Sequence, residues 1–190
     1  LPSGVQFVPG ASGLAGLADL SEFQRAKLLD DLGALEADND IVIVDTGAGI
    51  GPDVLKFASC ADTVLVVTAP EPTAITDGYA LIKVLAQRDY RGQMSLLVNF
   101  APDRHEARQT YQRISNVARQ FLDARVLDAG YVLHDPKVRD AVRKREPFVL
   151  AFPRCPASRC VAALATKLCA GGALVERKDG FFRRVANWFA

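Results

Sequence analysis

Short apolar runs alternate along the chain with longer segments in which apolar residues recur every three or four positions. The short runs are typical of β-strands and lie at residues 5–8, 41–45, 63–68, 95–100 and 130–133. Three of them are continuously apolar, which indicates strands buried on both faces of a parallel sheet. Helical spacing occurs at residues 21–37, 72–88, 106–123, 135–145 and 157–170. This alternation predicts an α/β fold with a mostly parallel sheet flanked by helices.

The composition changes once, near the C-terminus, where Gly171 and Gly172 open a charged segment. We therefore expect one domain over residues 1–170, a linker over 171–180 and a separate helix over 181–190.

Composition and charge exclude several classes of protein. A chain of 190 residues that is 49% hydrophobic can bury one full core. The 23 basic residues nearly balance the 22 acidic residues, so no global charge points to nucleic acid. Four cysteines without a C-x-x-C pair, with only two histidines, favour reduced thiols over zinc ligands or disulfides. We found no secretory signal and no apolar run long enough to span a bilayer, so we expect a cytoplasmic protein.

Polar residues follow the predicted strands at the point where each strand ends. Asp45, Thr68, Asn99 and His134 occupy these positions. In parallel α/β sheets, ligands bind at the carboxyl ends of the strands. This edge of the sheet is therefore the predicted binding edge.

Asp45 ends an apolar strand and is followed at once by small residues. A carboxylate in this position needs a cation, hydrogen-bond donors or a raised pKa, and no Arg or Lys lies nearby in the sequence. Hydrated Mg²⁺ fits a single carboxylate, and Gly47 and Gly49 let the backbone approach a phosphate. This is the layout of the second acidic motif of P-loop nucleotide hydrolases. Asp45 as a helix N-cap or turn residue is the alternative, and spacing alone does not choose between them.

Three segments in order, "DTGAGI" (45–50), "VTAPEPTAITDGYALIKVL" (67–85) and "LLVNFA" (96–101), resemble the MinD/ParA family of P-loop ATPases. The similarity is greatest to its flagellar branch, the FlhG/FleN (YlxH-like) regulators. Residues 5–21 and 117–153 extend the resemblance over nearly the whole chain. The implied fold is a P-loop NTPase of the MinD-like (SIMIBI) type.

The resemblance implies ATP or ADP and Mg²⁺ as cofactors and assigns roles to individual residues. Asp45 would hold Mg²⁺ through water, and residues 46–49, with Gly47 and Gly49, would form the switch that senses the γ-phosphate. Asn99 would hydrogen-bond the adenine edge, since a carboxamide both donates and accepts. Asp135 and Pro136 would line the base pocket, mainly through their backbone. Asn99 as a turn residue and Asp135 as an N-cap alone are the alternatives.

The glycine-rich phosphate loop of the family, with its Gly-Lys-Ser or Gly-Lys-Thr, does not occur in these residues. The segment "GASGLAG" at residues 10–16 has no lysine and resembles a different loop of the family. We therefore expect a MinD-like domain without its first βα units, either truncated or degenerate, and the start at Leu1 within family-like sequence favours truncation. We expect the chain alone neither to bind ATP tightly nor to hydrolyse it.

The last ten residues form an amphipathic pattern at ~100° per residue. One arc carries the apolar side chains Phe181, Phe182, Val185, Trp188 and Phe189, and Arg183 and Arg184 fall opposite. Such a helix suits the headgroup region of a membrane. MinD-like proteins end in a membrane-targeting helix that this segment resembles. A helix docked on the core is the alternative.

The resemblance implies an ATPase that acts as a switch on flagellar number and placement. ATP would close a homodimer, the dimer would bind the inner face of the cell membrane and its partners, and hydrolysis would release it. The implied partners are a signal-recognition-type GTPase of flagellar placement, flagellar switch proteins and a transcriptional activator.

Two other functions stay open. One is a non-catalytic adaptor that keeps only the docking surface and the membrane tail. The other is a ParA-type partition ATPase, which needs a basic DNA-binding face. The arginines and lysine at 143–145 supply some of that charge. The segment at 70–83 and the aromatic tail favour the flagellar branch, so no specific nucleic acid is expected.

Overall fold

The computed structural model describes residues 4–8, 21–171 and 180–187. It divides into two compact units, Leu1–Asp45 with Arg177–Ala190, and Thr46–Glu176. The first unit contains the helices α1 (Glu22–Ala37) and α8 (Phe181–Asn187). The elements of the second unit are α2 (Pro52–Cys60), β1 (Thr63–Thr68), α3 (Pro72–Gln87), β2 (Gln93–Ala101), α4 (Arg104–Leu122), β3 (Val126–Leu133), α5 (Pro136–Lys144), α6 (Phe148–Ala151) and α7 (Pro156–Gly171).

The sheet of the second unit is parallel, as the sequence predicts, with the strand order β1–β2–β3. Val66 of β1 pairs with Leu96 of β2, and Leu96 pairs with Asp128 of β3. The register shifts between Leu96 and Leu97 and again between Val98 and Ala101. The second shift lies at the carboxyl end of β2, where the candidate site begins.

Both faces of this sheet carry helices. The core on one face joins the sheet to α3 and α4 through the buried residues Val64, Val66, Ile82, Leu85, Leu96 and Ile114. On the other face, α7 packs against β3 around Leu97, Ala129, Val132 and Ala157. The continuously apolar sequence of β2 fits its place as the central strand, covered on both sides.

Local sequence explains where these helices begin and end. Asp103 caps α4 by accepting a hydrogen bond from the backbone N–H of Glu106 at 2.9 Å. Asp123 ends the same helix in the left-handed conformation. Pro72 and Pro136 occupy the first turns of α3 and α5, where a missing N–H costs nothing. Pro52 starts α2 in the same way, but the apolar pattern did not predict that helix.

The predicted strands at 5–8 and 41–45 are wrong. Neither segment forms a strand, and the side chains of residues 41–44 are exposed. A strand requires a neighbour that pairs with its backbone N–H and C=O groups. Within the described residues, these two segments have no ladder partner. The apolar pattern of a segment indicates its strand propensity, but it does not reveal whether a neighbouring strand is present to pair with it.

The first unit is organised around α1. Ser21 caps this helix in a reciprocal capping box with Gln24, which confirms the predicted start. Helix α8 packs against α1. The Glu36 carboxylate of α1 accepts hydrogen bonds from the backbone N–H groups of Phe181 at 2.7 Å and Phe182 at 3.3 Å. One side chain of α1 thus takes up two N–H groups that the first turn of α8 leaves unpaired.

Candidate functional site

The carboxyl ends of the three strands bring three predicted polar residues to one edge of the second unit. Thr68 ends β1, Asn99 lies near the end of β2, and His134 directly follows β3. The backbone N–H of His134 donates to Ala101 O at 2.9 Å, which joins the ends of β2 and β3. The sequence therefore placed these three residues correctly. Asp45 belongs to the first unit.

Asn99 is half-buried and its amide orientation is fixed. The backbone N–H of Phe100 donates to its Oδ1 at 2.9 Å. Because an N–H can only donate, the oxygen must occupy that position, and the –NH₂ group must be the other branch. The –NH₂ group makes no hydrogen bond to another described residue. Asn99 therefore has two donors available for an acceptor on a ligand, and its role as an adenine contact stays a prediction.

Phe100 is a functional candidate that sequence reasoning missed. Its φ of +53° lies in the left-handed region, which bulky side chains rarely adopt. The residue is 59% exposed, and the centroid of its ring lies 6.3 Å from that of the His134 imidazole, with 40° between the ring planes. The sequence offered no signal of this geometry, because a positive φ at phenylalanine cannot be read from residue type.

Thr68 has a structural role in the described residues. It is buried, and its hydroxyl donates to Ala74 O at 2.8 Å. This bond ties the end of β1 to the first turns of α3. Glu71, at the N-cap position of that helix, makes no side-chain capping bond.

Asp135 is a buried N-cap that serves two helices. Its Oδ1 accepts from the backbone N–H of Lys137 in α5 at 2.9 Å, and its Oδ2 accepts from that of Ala157 in α7 at 3.2 Å. Burial favours the neutral carboxyl, but these two bonds, the Cys155 thiol and the Lys137 charge together lower the pKa of Asp135. The structure gives this carboxylate the capping role that was the alternative at the sequence level. A nucleotide contact through its backbone, or through that of the exposed Pro136, stays a prediction.

The segment that contains Asp45, Gly47 and Gly49 is exposed. Asp45 makes no hydrogen bond or ion pair to another described residue. A Cβ built on Gly47 or Gly49 would meet no atom within 4 Å, and Gly49 has a φ of +95°. A single exposed carboxylate such as that of Asp45 fits hydrated Mg²⁺, which binds through few protein oxygens. The magnesium role of Asp45 and the switch role of the glycines remain predictions.

The structure sets two further limits on the described residues. It contains no group of three or more His, Cys, Asp or Glu side chains that could hold a metal ion by themselves. None of the helices in the described ranges is both long enough and apolar enough to cross a membrane.

The predicted membrane residues lie partly within the described chain. Phe181 and Val185 are buried, Phe182 and Arg184 are half-buried, and Arg183 is exposed. Trp188 and Phe189 lie outside the described residues. Helix α8 packs on α1 of the first unit, and its membrane role stays a prediction.

Comparison with curated proteins identifies relatives over nearly the whole chain. The antiactivator FleN of Pseudomonas aeruginosa is 38% identical over 167 residues, which is 88% of this chain. The flagellum site-determining protein YlxH of Helicobacter pylori is 31% identical over 198 residues and covers 97% of this chain. The chain spans 60% and 65% of the lengths of these two relatives, less than two thirds of either.

Solved structures share the fold. The cell division ATPase MinD of Pyrococcus furiosus superposes with a TM-score of 0.60 at 17% identity. The superposition covers 77% of this chain and 58% of that protein. No family model matches the sequence. The fold is therefore MinD-like, with helices on both faces of a parallel sheet.

Proposed function

Because the chain belongs to the MinD/ParA-type family, with FleN and YlxH among its relatives, we propose that it is part of an ATP-dependent switch controlling flagellar number and placement. The observation that carries this proposal is the likeness to two flagellar regulators along almost the entire chain. The open glycine backbone at residues 47–49 and the free amide of Asn99 support it.

Each of the candidate residues would bind a different part of the nucleotide. Mg²⁺ would neutralise charge on the phosphates. Asp45 would hold the hydrated ion, and the backbone at Gly47 and Gly49 would approach the γ-phosphate closely. The –NH₂ group of Asn99 would donate to a ring nitrogen of adenine, and the backbone around Asp135 and Pro136 would border the base.

The proposed partners follow from the same family. ATP would favour a homodimer, which would bind a signal-recognition-type GTPase of flagellar placement, flagellar switch proteins and a transcriptional activator. Helix α8 would attach the dimer peripherally to the inner face of the cell membrane. Since α8 packs on α1 and its side chains Phe181 and Val185 are buried, the helix would have to move before these side chains could enter lipid.

The test is ATP turnover by the native full-length gene product. We expect Asp45→Asn to reduce Mg²⁺-dependent hydrolysis by at least about 100-fold, since the neutral amide binds Mg²⁺ far less well. Asp53→Asn is the matched control, because Asp53 is an exposed aspartate in the first turn of α2. Normal turnover by Asp45→Asn would overturn the magnesium assignment.

A non-catalytic adaptor is the second candidate. An adaptor would bind the flagellar partners equally well with and without ATP. A gene product that binds its partners but neither binds nor hydrolyses ATP would decide for this function.

A further inference from the structure

The carboxyl end of β2 holds a strained backbone that carries an exposed aromatic ring. Phe100 has a φ of +53°, whereas glycine, asparagine or aspartate would adopt this conformation with less strain. Strained residues persist only where their surroundings hold them in place, and they cluster at ligand sites. Burial of the side chain does not offset this strain, since 59% of Phe100 is exposed.

Neighbouring bonds hold this conformation. Asn99 Oδ1 accepts from the N–H of Phe100, and the register of β2 with β3 shifts between Val98 and Ala101. Ala101 is fully buried, and its carbonyl accepts from the N–H of His134. The backbone that carries the two rings is therefore held where β2 meets β3. The rings themselves are accessible to a ligand.

We infer that Phe100 and His134 form a stacking platform for the purine base of the nucleotide proposed above, beside the amide of Asn99. This inference rests on the proposed function. The flat face of a purine stacks on an aromatic ring, and such contacts strengthen binding whatever the identity of the base. The polar edge of the base would meet the –NH₂ group of Asn99, the residue adjacent to Phe100 in the chain. Stacking would supply affinity, and the amide would supply selection between bases.

This arrangement also explains why the carboxamide is fixed. Oδ1 of Asn99 is used within the protein to hold the N–H of Phe100. The same side chain thus positions the ring and offers its two remaining hydrogens to the base. A ligand acceptor such as a ring nitrogen matches these donors.

The experiment measures binding of ATP and of inorganic tripolyphosphate to the native full-length gene product by calorimetry. Tripolyphosphate carries the phosphate charge without a base. We expect Phe100→Leu to weaken ATP binding about tenfold, the ordinary contribution of one stacked base, and to leave tripolyphosphate binding unchanged. His134→Leu should weaken ATP binding about threefold, since this ring lies at the border of the platform.

Phe121→Leu is the matched control. Phe121 is also strongly exposed, at 67%, but it lies in the last turn of α4. It should bind ATP and tripolyphosphate as the unmodified protein does. Leucine keeps the backbone restrictions of a bulky residue at position 100, so Phe100→Leu isolates the ring.

The outcomes separate this inference from the proposed function. If Asn99→Ala weakens ATP binding and Phe100→Leu does not, the platform is wrong and the nucleotide function stands. If ATP and tripolyphosphate bind the unmodified protein equally well, no base is recognised, and the platform is wrong. If the unmodified protein does not bind ATP at all, both the platform and the proposed function are wrong.

A second variant separates a ligand role from a folding role. Phe100→Gly relieves the strained φ and removes the ring. We expect it to raise the melting temperature by about 2–4 °C while it weakens ATP binding at least as much as Phe100→Leu. An ATP affinity of Phe100→Gly equal to that of the unmodified protein would overturn the platform, whatever its melting temperature.

Discussion

At the scale of single residues, Asp135 shows how one carboxylate at the end of a strand can hold the starts of two helices. Its two oxygens accept hydrogen bonds from backbone N–H groups in the first turns of α5 and α7, which begin at Pro136 and Pro156. It follows β3 directly, so it fixes both helices relative to the sheet edge where Asn99 lies. Its carboxylate thus links α5 and α7, while the base contact that the family resemblance assigns to its backbone stays a prediction.

We expect Asp135→Asn to lower the free energy of unfolding by about 1–3 kcal/mol at pH 7, because a carboxamide can accept at only one of the two positions. Urea unfolding measures this change. Asp103→Asn is the control, since the exposed Asp103 accepts a single capping bond, and it should cost less. Equal costs for the two variants would contradict the double capping role.

The pH dependence of stability has a definite sign at this residue. Because the pKa of Asp135 is lowered in the folded state from its ordinary value of 3.8, the unfolded chain binds its proton first as the pH falls. Its contribution is therefore complete above pH 3.8 and is lost as the pH falls through the folded value. Asp135→Asn should flatten the acid limb of the stability profile, which thermal unfolding between pH 2 and 6 would detect.

At the scale of elements, the packing of α8 on α1 combines a polar contact made by Glu36 with buried apolar side chains. Glu36 accepts from two N–H groups at the start of α8, while Phe181 and Val185 are buried. A carboxylate at this position also interacts favourably with the positive end of the helix dipole. The polar contact therefore adds to the apolar one, and removing it should loosen α8 without unfolding α1.

We expect Glu36→Gln to increase amide hydrogen exchange at Phe181 and Phe182 about tenfold, since glutamine has one acceptor oxygen and no charge. Exchange measured by mass spectrometry tests this. Asp31→Asn, an exposed change on the same helix, should leave the exchange rates unaltered. If α8 binds membranes, the Glu36→Gln protein should also co-sediment more strongly with anionic vesicles. Unchanged exchange would show that the Glu36 carboxylate does not hold the start of α8.

The sequence predicted helices better than strands, and the reason is physical. Helices satisfy their own backbone hydrogen bonds, so capping residues such as Ser21 and Asp103 and apolar spacing suffice to locate them. A strand depends on a neighbour. The runs at 63–68 and 95–100 pair with neighbouring strands. The equally apolar run at 41–45 has no paired strand within the described residues. Helix α2 was missed because its nine residues offer little periodicity beyond Pro52.

The candidate site was predictable to the extent that residue type determines position. Apolar runs that end in polar residues correctly placed Thr68, Asn99 and His134 at one edge. Their roles were not predictable, because a role depends on hydrogen-bond partners from distant parts of the chain. Asp135 illustrates this, since its second partner, Ala157, lies 22 residues further on.

At the scale of the whole molecule, the exposed run from Ile41 to Val44 is the feature least expected of a stable protein. Four consecutive apolar residues are exposed, and Ile43 is 84% exposed. Runs of this kind with high β-propensity promote association between chains. The 190 residues alone should therefore bind hydrophobic dyes and self-associate.

We expect Ile43→Glu in the 190-residue chain to reduce dye fluorescence and self-association, and to change the free energy of unfolding by less than about 0.5 kcal/mol. Light scattering and dye titration measure the first two effects. Val142→Glu changes an isolated residue that is 69% exposed, and it should alter neither. If Ile43→Glu instead destabilised the chain by more than about 2 kcal/mol, residues 41–45 would be a core strand, as the apolar pattern indicated.

The conformation of Phe100 has a consequence for how this protein and its relatives diverge. Its left-handed backbone is a standing disadvantage for any large side chain, so mutation to glycine, asparagine or aspartate would improve folding. Selection on an activity that uses the ring would oppose such a replacement. The residue found at this position across descendant sequences would therefore record which lineages still use the ring and which have abandoned it.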